Sequence, residues 1–283
     1  MAKHAIFNGK ICMNNIYILR GKLPDEGTIE YREMMNYESG KADIDASIWF
    51  PSQSIAESWL KVNKAYEPAS MPGFEIAIKI SDIQNALYGT VLDVGAGICW
   101  LTARLSQIET VKEVWAHDLS ERFLKSIGVS VLKHLFANFK KIGFSVSDYN
   151  YLPFENKYFD CIIMMASFHH SNYPEKTLHE LNRCLKDEGV ILIFEHPVSV
   201  YLINSHRKYY SKLSRECGVT ERRYTFNEHM KIFKNAGFNH IKTYPLAALC
   251  KNRFKKMIRL LLRITHLEYY IIPPDVVFLL KKQ

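Results

Sequence analysis

Apolar positions along this chain follow three different regimes. Between about residues 89 and 200, short β-rich apolar runs alternate with longer stretches in which apolar residues recur every three to four positions. That alternation is the signature of a mostly parallel sheet with crossover helices, an α/β fold. Strands are predicted at 91–94, 113–117, 143–146, 161–166 and 190–194. A helix is predicted over 121–139, where Phe123, Leu124, Ile127, Val131, Leu132 and Leu135 share one stripe, and another over 175–185. Such sheets hold ligands at the carboxyl ends of their strands, beside the point where strand order reverses.

The flanking regimes differ. Residues 1–88 mix short helical stretches with turn signals at 24–27 and 68–73, and carry aromatic clusters at 48–50 and 58–60. They are expected to form an N-terminal helical extension that caps the main domain, with packing into the core as the plainer reading. After residue 200 come a Lys- and Arg-rich connection, a helix over 227–235 stopped by Gly237, a strand over 241–244 and a last strand over 276–280, expected to run antiparallel. The chain therefore divides into a 1–88 extension and an 89–283 domain with an insertion at about 247–274. It shows no internal repeat or low-complexity tract.

Composition narrows the class. At 283 residues, 48% hydrophobic and 23% charged, the chain is an ordinary globular sequence long enough for one substantial core. No apolar run approaches the ~18 residues of a membrane-spanning helix, and residues 1–15 lack the apolar stretch of a secretory signal. A cytoplasmic protein is expected. The six cysteines show neither a C-x-x-C pair nor zinc-finger spacing, so they read as free thiols, Cys161 and Cys184 as core residues, and no metal site is read from them. Charge is unevenly placed: residues 201–283 hold 17 Lys or Arg against 5 Asp or Glu. That imbalance points to an anionic partner, whether a phosphorylated substrate, a membrane surface or a nucleic acid.

The densest chemical signal is VLDVGAGICW at 91–100, an apolar strand running into Gly-Ala-Gly and then a helical segment. Glycines at such a turn let a ligand approach the main chain. A dinucleotide fingerprint would require glycine where Trp100 stands, and a P-loop would require a Gly-Lys-Ser or Gly-Lys-Thr that does not follow Gly97. Asp93, two residues before Gly95, would repel a pyrophosphate and attract an ammonium group.

With these residues, Asp93-Val94-Gly95-Ala96-Gly97 resembles the first motif of the class I S-adenosylmethionine-dependent methyltransferases, Cys99 standing where that family usually has a third glycine. Two further stretches are similar in order and spacing: Asp118 closing VWAHD, and SDYNYLPFENKYFDCI at 147–162. The resemblance covers about residues 89–200, with an echo at 226–238. It implies a Rossmann-like fold and S-adenosylmethionine held by Asp93, Gly95, Ala96, Gly97, Asp118, Leu119, Asp148, Tyr149 and Ala166. Asp118 would take the ribose hydroxyls, Asp148 the adenine amino group and the Tyr149 backbone the ring edge. At the end of the fourth strand, His169 or His170 would face the acceptor as a general base, with Glu195 and His196 on the same rim as weaker candidates. Structural hydrogen bonding is the competing role for these histidines.

For the acceptor, 166–169 is Ala-Ser-Phe-His and not the Asn-Pro-Pro-Tyr or Asp-Pro-Pro-Tyr of base-amine methylation, and no Pro-Cys dipeptide offers a nucleophile for pyrimidine carbon. A small-molecule acceptor is expected, anionic and lipid-linked, sugar or phosphorylated. The alternatives are an RNA methyltransferase, motivated by the basic C-terminal part, and a binding protein that keeps the fold without turnover. Within 251–264, Phe254, Met257, Ile258 and Leu261 share one helical face and Lys255, Lys256, Arg259 and Arg263 the other. That pattern suits peripheral membrane contact or an ordinary helix docked on the core.

Overall fold

The computed structural model describes residues 11–13, 16–41, 70–246, 253–265 and 267–282. The aromatic clusters at 48–50 and 58–60 lie outside them. Nine strands form one sheet in the order β1-β2-β5-β4-β3-β6-β7-β9-β8. The strands are β1 Ile11–Met13, β2 Ile16–Arg20, β3 Gly89–Val94, β4 Val111–Asp118, β5 Ile142–Val146, β6 Phe159–Met165, β7 Leu185–Glu195, β8 His240–Pro245 and β9 Val276–Lys281. β2, β5, β4, β3, β6 and β7 pair in parallel; β1 is antiparallel to β2, and β9 is antiparallel to both β7 and β8. This is the Rossmann-like, mostly parallel architecture with a terminal antiparallel hairpin.

Strand order reverses at β3, whose neighbours β4 and β6 lie on opposite sides, so the crevice between the ends of β3 and β6 is the expected ligand position. The period of two along β3 sorts its side chains: Val91 joins one buried cluster, while Leu92 and Val94 join the other. Helices cover both faces. Helices α2 (Ser70–Ala77), α3 (Ser81–Ala86), α4 (Trp100–Gln107) and α5 (Val129–His134) pack on the first. Helices α6 (Pro174–Cys184) and α8 (Phe226–Asn235) pack on the second. Local signals set their ends: Pro174 occupies the first turn of α6, and Thr225 and Glu228 close a capping box on α8.

Three features depart from the sequence reading. Residues 11–13 and 16–20 of the extension are strands, β2 pairing in parallel with β5 from Tyr17↔Gly143 to Arg20↔Val146. The extension thus completes the sheet as well as adding helices. The predicted 121–139 helix divides into a π-helical segment, Phe123–Gly128, and α5, which ends at His134. Finally, α9 (Arg253–Arg263) does not lay its apolar face on the core: Phe254 and Leu261 are each 65% exposed, and Met257, Leu260 and Ile264 are exposed with them. Cys99, Cys161 and Cys184 are free and buried, and among the described residues no helix is long and apolar enough to cross a membrane.

Candidate active site

At the end of β3 the chain makes the turn that the glycines predicted. The N–H groups of Gly95 and Ala96 both donate to the carbonyl of His117 at 2.9 Å, fastening the turn to β4. Gly95 has φ +70, and a Cβ added there would stand 2.6 Å from Ser167 Cβ. Ser167 in turn donates from Oγ to the Val94 carbonyl at 2.7 Å. Gly97, φ +50, would meet nothing within 4 Å, so its backbone borders open space that a ligand can occupy. Cys99 is left-handed too, at φ 62. Glycine at that position would carry no steric cost, which is the physical content of the family's third glycine.

Asp93 is only 1% exposed and lies on the face of β3 that meets α4, where Thr102 Oγ1 donates to its Oδ2 at 2.6 Å. Burial, reinforced by the charge of Asp118, raises its pKa to about 7 against the hydrogen bonds from Thr102. Asp118 ends β4 with Oδ2 accepting from Gly97 N–H and Oδ1 from Ser120 N–H, each at 2.8 Å. Burial raises its pKa as well. Each carboxylate oxygen offers two lone-pair sites, so both retain capacity for the two hydroxyls of a ribose. Leu119 follows Asp118, partly exposed.

Asp148 receives two bonds on one oxygen, Oδ1, from Asn150 N–H at 2.7 Å and Asn150 Nδ2 at 2.8 Å. Its own N–H donates to the Lys22 carbonyl just after β2. The N-terminal strands therefore brace this carboxylate, and Tyr149 lies next to it, half-buried. Ala166, at φ 51, turns the chain out of β6. Left-handed non-glycine residues at the start of α4 and just after β6 fit a site that demands particular backbone positions. An acid at each of the β3, β4 and post-β5 positions, with open space against Gly97, matches the acceptor set that an adenosine and an amino-acid ammonium would need. The residues present fit S-adenosylmethionine.

Across the crevice, a 3-10 turn at Phe168–His170 carries the paired histidines. His169 donates from its main-chain N–H to Glu195 Oε1 at 3.2 Å, and its ring Nδ1 lies 3.0 and 2.9 Å from the two Glu195 oxygens. Burial opposes ionisation of Glu195. The charge and hydrogen bond of His169, with His229 and His196 beyond it, prevail and hold the Glu195 pKa at about 2. His170 Nδ1 lies 2.7 Å from the Thr220 carbonyl. His196, expected on the same rim, turns instead to Asp275, 2.7 Å from its Nδ1. His169, His170 and Glu195 thus come together, and His196 stands apart from them.

Two residues absent from the sequence reading complete this cluster. Glu221 and Arg223 lie in the loop between α7 (Ile203–Cys217) and α8 and are largely buried, with Arg223 Nη2 2.9 Å from Glu221 Oε2. In the sequence they belong to a Glu-Arg-Arg run that reads as a solvated charged loop. Helix α1, Ile29–Glu38, ties the two sides of the crevice. Glu33 accepts from Thr220 N–H at 2.7 Å and Asn172 Nδ2 at 3.1 Å. Glu38 accepts from Ser120 Oγ at 2.8 Å and Arg122 N–H at 3.1 Å.

A family model described as a methyltransferase domain matches residues 92–193. Among curated proteins, the chain is 33% identical over 108 residues to the ubiquinone/menaquinone biosynthesis C-methyltransferase UbiE of Escherichia fergusonii, covering 38% of this chain and 42% of that one. It is 25% identical over 161 residues to the mitochondrial arginine-hydroxylase NDUFAF5 of Mus musculus, covering 57% of this chain and 42% of that one. The chain therefore spans less than half the length of either. Among solved structures, a phosphoethanolamine N-methyltransferase 2 of Haemonchus contortus aligns with a TM-score of 0.50 at 20% identity, over 69% of this chain and 49% of that one. A methyltransferase of Thermotoga maritima aligns with a TM-score of 0.52 at 16% identity, over 86% and 98%. These structural likenesses show the fold.

Proposed function

Since residues 92–193 belong to the class I S-adenosylmethionine-dependent methyltransferases, we propose that this protein methylates a small anionic acceptor, lipid-linked or phosphorylated, at the rim formed by β6 and β7. The observation that carries the reading is the pairing of Gly97 N–H with the Asp118 carboxylate. It sets an open glycine turn and a diol-accepting acid side by side at the reversal point of the sheet.

Bound S-adenosylmethionine supplies a methyl group already activated on a sulfonium. The protein's tasks are then alignment, exclusion of water and disposal of a proton. Asp118 orients the ribose, Asp148 Oδ2 receives the adenine amino group, and the Gly95–Gly97 main chain bounds the amino-acid end. His169 serves the acceptor side. Its Nδ1–H is committed to Glu195, which leaves Nε2 as the lone pair that accepts a proton from the acceptor hydroxyl or amine. Glu195 is a positioning residue that fixes this tautomer. The 1–88 extension acts as a cap, with α1 bridging the crevice.

Three observations support the class of acceptor. The C-terminal part holds 17 basic against 5 acidic residues. Phe254, Met257, Leu260 and Leu261 of α9 are exposed, as in a helix that lies on a membrane surface. Relatives are named as C-methyltransferases of ubiquinone and menaquinone biosynthesis.

Calorimetric titration with S-adenosylmethionine, beside NAD and an Asp118→Ala variant checked for folding by circular dichroism, tests the reading. Micromolar binding lost in the variant supports it. A folded wild-type protein that binds no S-adenosylmethionine overturns it.

A further inference from the structure

We propose that His169, His170 and Glu221 bind one divalent transition-metal ion. The donor atoms of these three side chains lie within 4.8 Å of one another, and each imidazole is oriented toward that common point by a partner on its other nitrogen. Glu195 takes His169 Nδ1, and the Thr220 carbonyl takes His170 Nδ1. Both partners are pure acceptors, so Nδ1 carries a proton on each ring, and in the neutral imidazole Nε2 carries the lone pair.

Both Nε2 atoms then face a single carboxylate. His169 Nε2 lies 3.6 Å from Glu221 Oε2, and His170 Nε2 lies 3.7 Å from Glu221 Oε1. These separations exceed a hydrogen bond. They are close to the ~3.4 Å edge between neighbouring donors placed ~2.1 Å from a tetrahedral ion. An acid at ion-pair range of two imidazole nitrogens offers a shared cation one oxygen beside each.

The surrounding groups support this use. A carboxylate on the far nitrogen of a ligating histidine fixes its ring and raises its basicity, and Glu195 is so placed on His169. Arg223 Nη2 holds Glu221 Oε2 at 2.9 Å, its guanidinium lying 3.6 Å from the centre of the Tyr210 ring. That contact orients the acid and leaves Oε1 turned toward His170. Two imidazoles and one carboxylate suit iron, cobalt, zinc or manganese in the divalent state. Three protein donors leave coordination positions open, as in catalytic sites. The opening lies on the His170 side, which is 24% exposed against 8% for His169 and 6% for Glu221.

Such an ion would anchor an acceptor oxygen beside the rim and make its hydroxyl more acidic. In that use the inference rests on the proposed methyl transfer; ion binding itself does not. An ion also occupies the His169 Nε2 lone pair, so coordination replaces direct proton acceptance there.

The test is a Co²⁺ titration of the chelator-treated full chain, followed by visible absorption and by calorimetry. It is run on the wild type and on Glu221→Gln, His170→Gln and Glu195→Gln, each checked for folding by circular dichroism. The expected result is one ion per chain with ligand-field bands, at least tenfold weaker in Glu221→Gln and His170→Gln, and some tenfold weaker in the positioning variant Glu195→Gln. No binding by the folded wild type overturns the proposal, and so does binding that the variants leave unchanged. S-adenosylmethionine calorimetry on the same samples separates the two readings. Retained cofactor binding without cobalt removes only the metal, and cobalt without cofactor removes only the methyltransferase reading.

Discussion

Gly128 makes room for Cys99: a Cβ built on Gly128 would stand 2.7 Å from Cys99 Sγ. The cysteine is fully buried and left-handed at the start of α4. A thiol fits where the family carries glycine because the π-helical segment across from it ends on a residue without a side chain.

The pair is therefore coupled. Gly128→Ala should destabilise the protein by about 2 kcal/mol through overpacking, read as a lower denaturation midpoint. Cys99→Gly exchanges lost packing for relief of a left-handed strain of about 1 kcal/mol, and its net change should be within about 1 kcal/mol. The double variant should recover part of the Gly128→Ala loss, giving a coupling of at least about 0.5 kcal/mol in a double-mutant cycle. Strict additivity would show that the two residues do not share space.

Asp93 gives a pH prediction with a definite sign. Its folded pKa of about 7 lies above the ~3.9 of an unfolded chain. The folded state thus holds a proton that the unfolded state has lost, and the stability due to this group is full below pH ~4 and disappears as pH rises through ~7. Asp93→Asn keeps the polar partner of Thr102 without the ionisation. Relative to wild type without cofactor, the variant should gain stability steadily between pH 4 and 7, by about 3 kcal/mol in all. Urea unfolding across that range measures the difference, and a flat difference refutes the assignment.

His117 behaves in the opposite sense. It is fully buried with Nδ1 2.9 Å from Ser145 Oγ, and burial drives its pKa down to about 3. The unfolded chain protonates it near ~6.5, so its contribution is full above that pH and is lost as pH falls toward 3. His117→Asn should flatten the acid limb of the stability profile, visible as a smaller drop in Tm between pH 6.5 and 4.5 than in wild type.

The exposed face of α9 predicts a membrane readout. Sedimentation with vesicles of 30% anionic lipid should capture the protein at low salt, and Phe254→Asp with Leu261→Asp should reduce the bound fraction about tenfold. Capture by neutral vesicles alone would argue against a role for the basic residues. Capture by RNA in place of vesicles would favour a nucleic-acid acceptor.

Much of the site was legible because it rests on short-range patterns. The strand-turn-helix of 91–100, the acids at 118 and 148 and the paired histidines each sit at the end of an apolar run, and the fold brings such ends to one edge. Residues 11–13 and 16–20 were not legible as sheet: β2 is five residues long and lies near the margin, so its pairing with β5 is decided by tertiary contact rather than by local propensity. The 121–139 stripe changes from π to α geometry at Gly128, which faces Cys99, a contact across elements that periodicity does not reveal. Glu221 escaped for a similar reason. A charged residue followed by two arginines reads as solvated until the fold buries it against His169 and His170.

Helix α1 sets a dimension for the crevice. Glu33 holds the loops at 172 and 220 on the histidine side, and Glu38 holds Ser120 and Arg122 beside Asp118. Five residues of helix separate the two by about 7.5 Å along the axis, so one rigid rod fixes how far apart those loops stand. A molecule broad enough to part them must first break a carboxylate contact at one end of that rod. The girth of what this crevice admits is thus gauged by a helix remote in sequence from the glycine turn and the paired histidines.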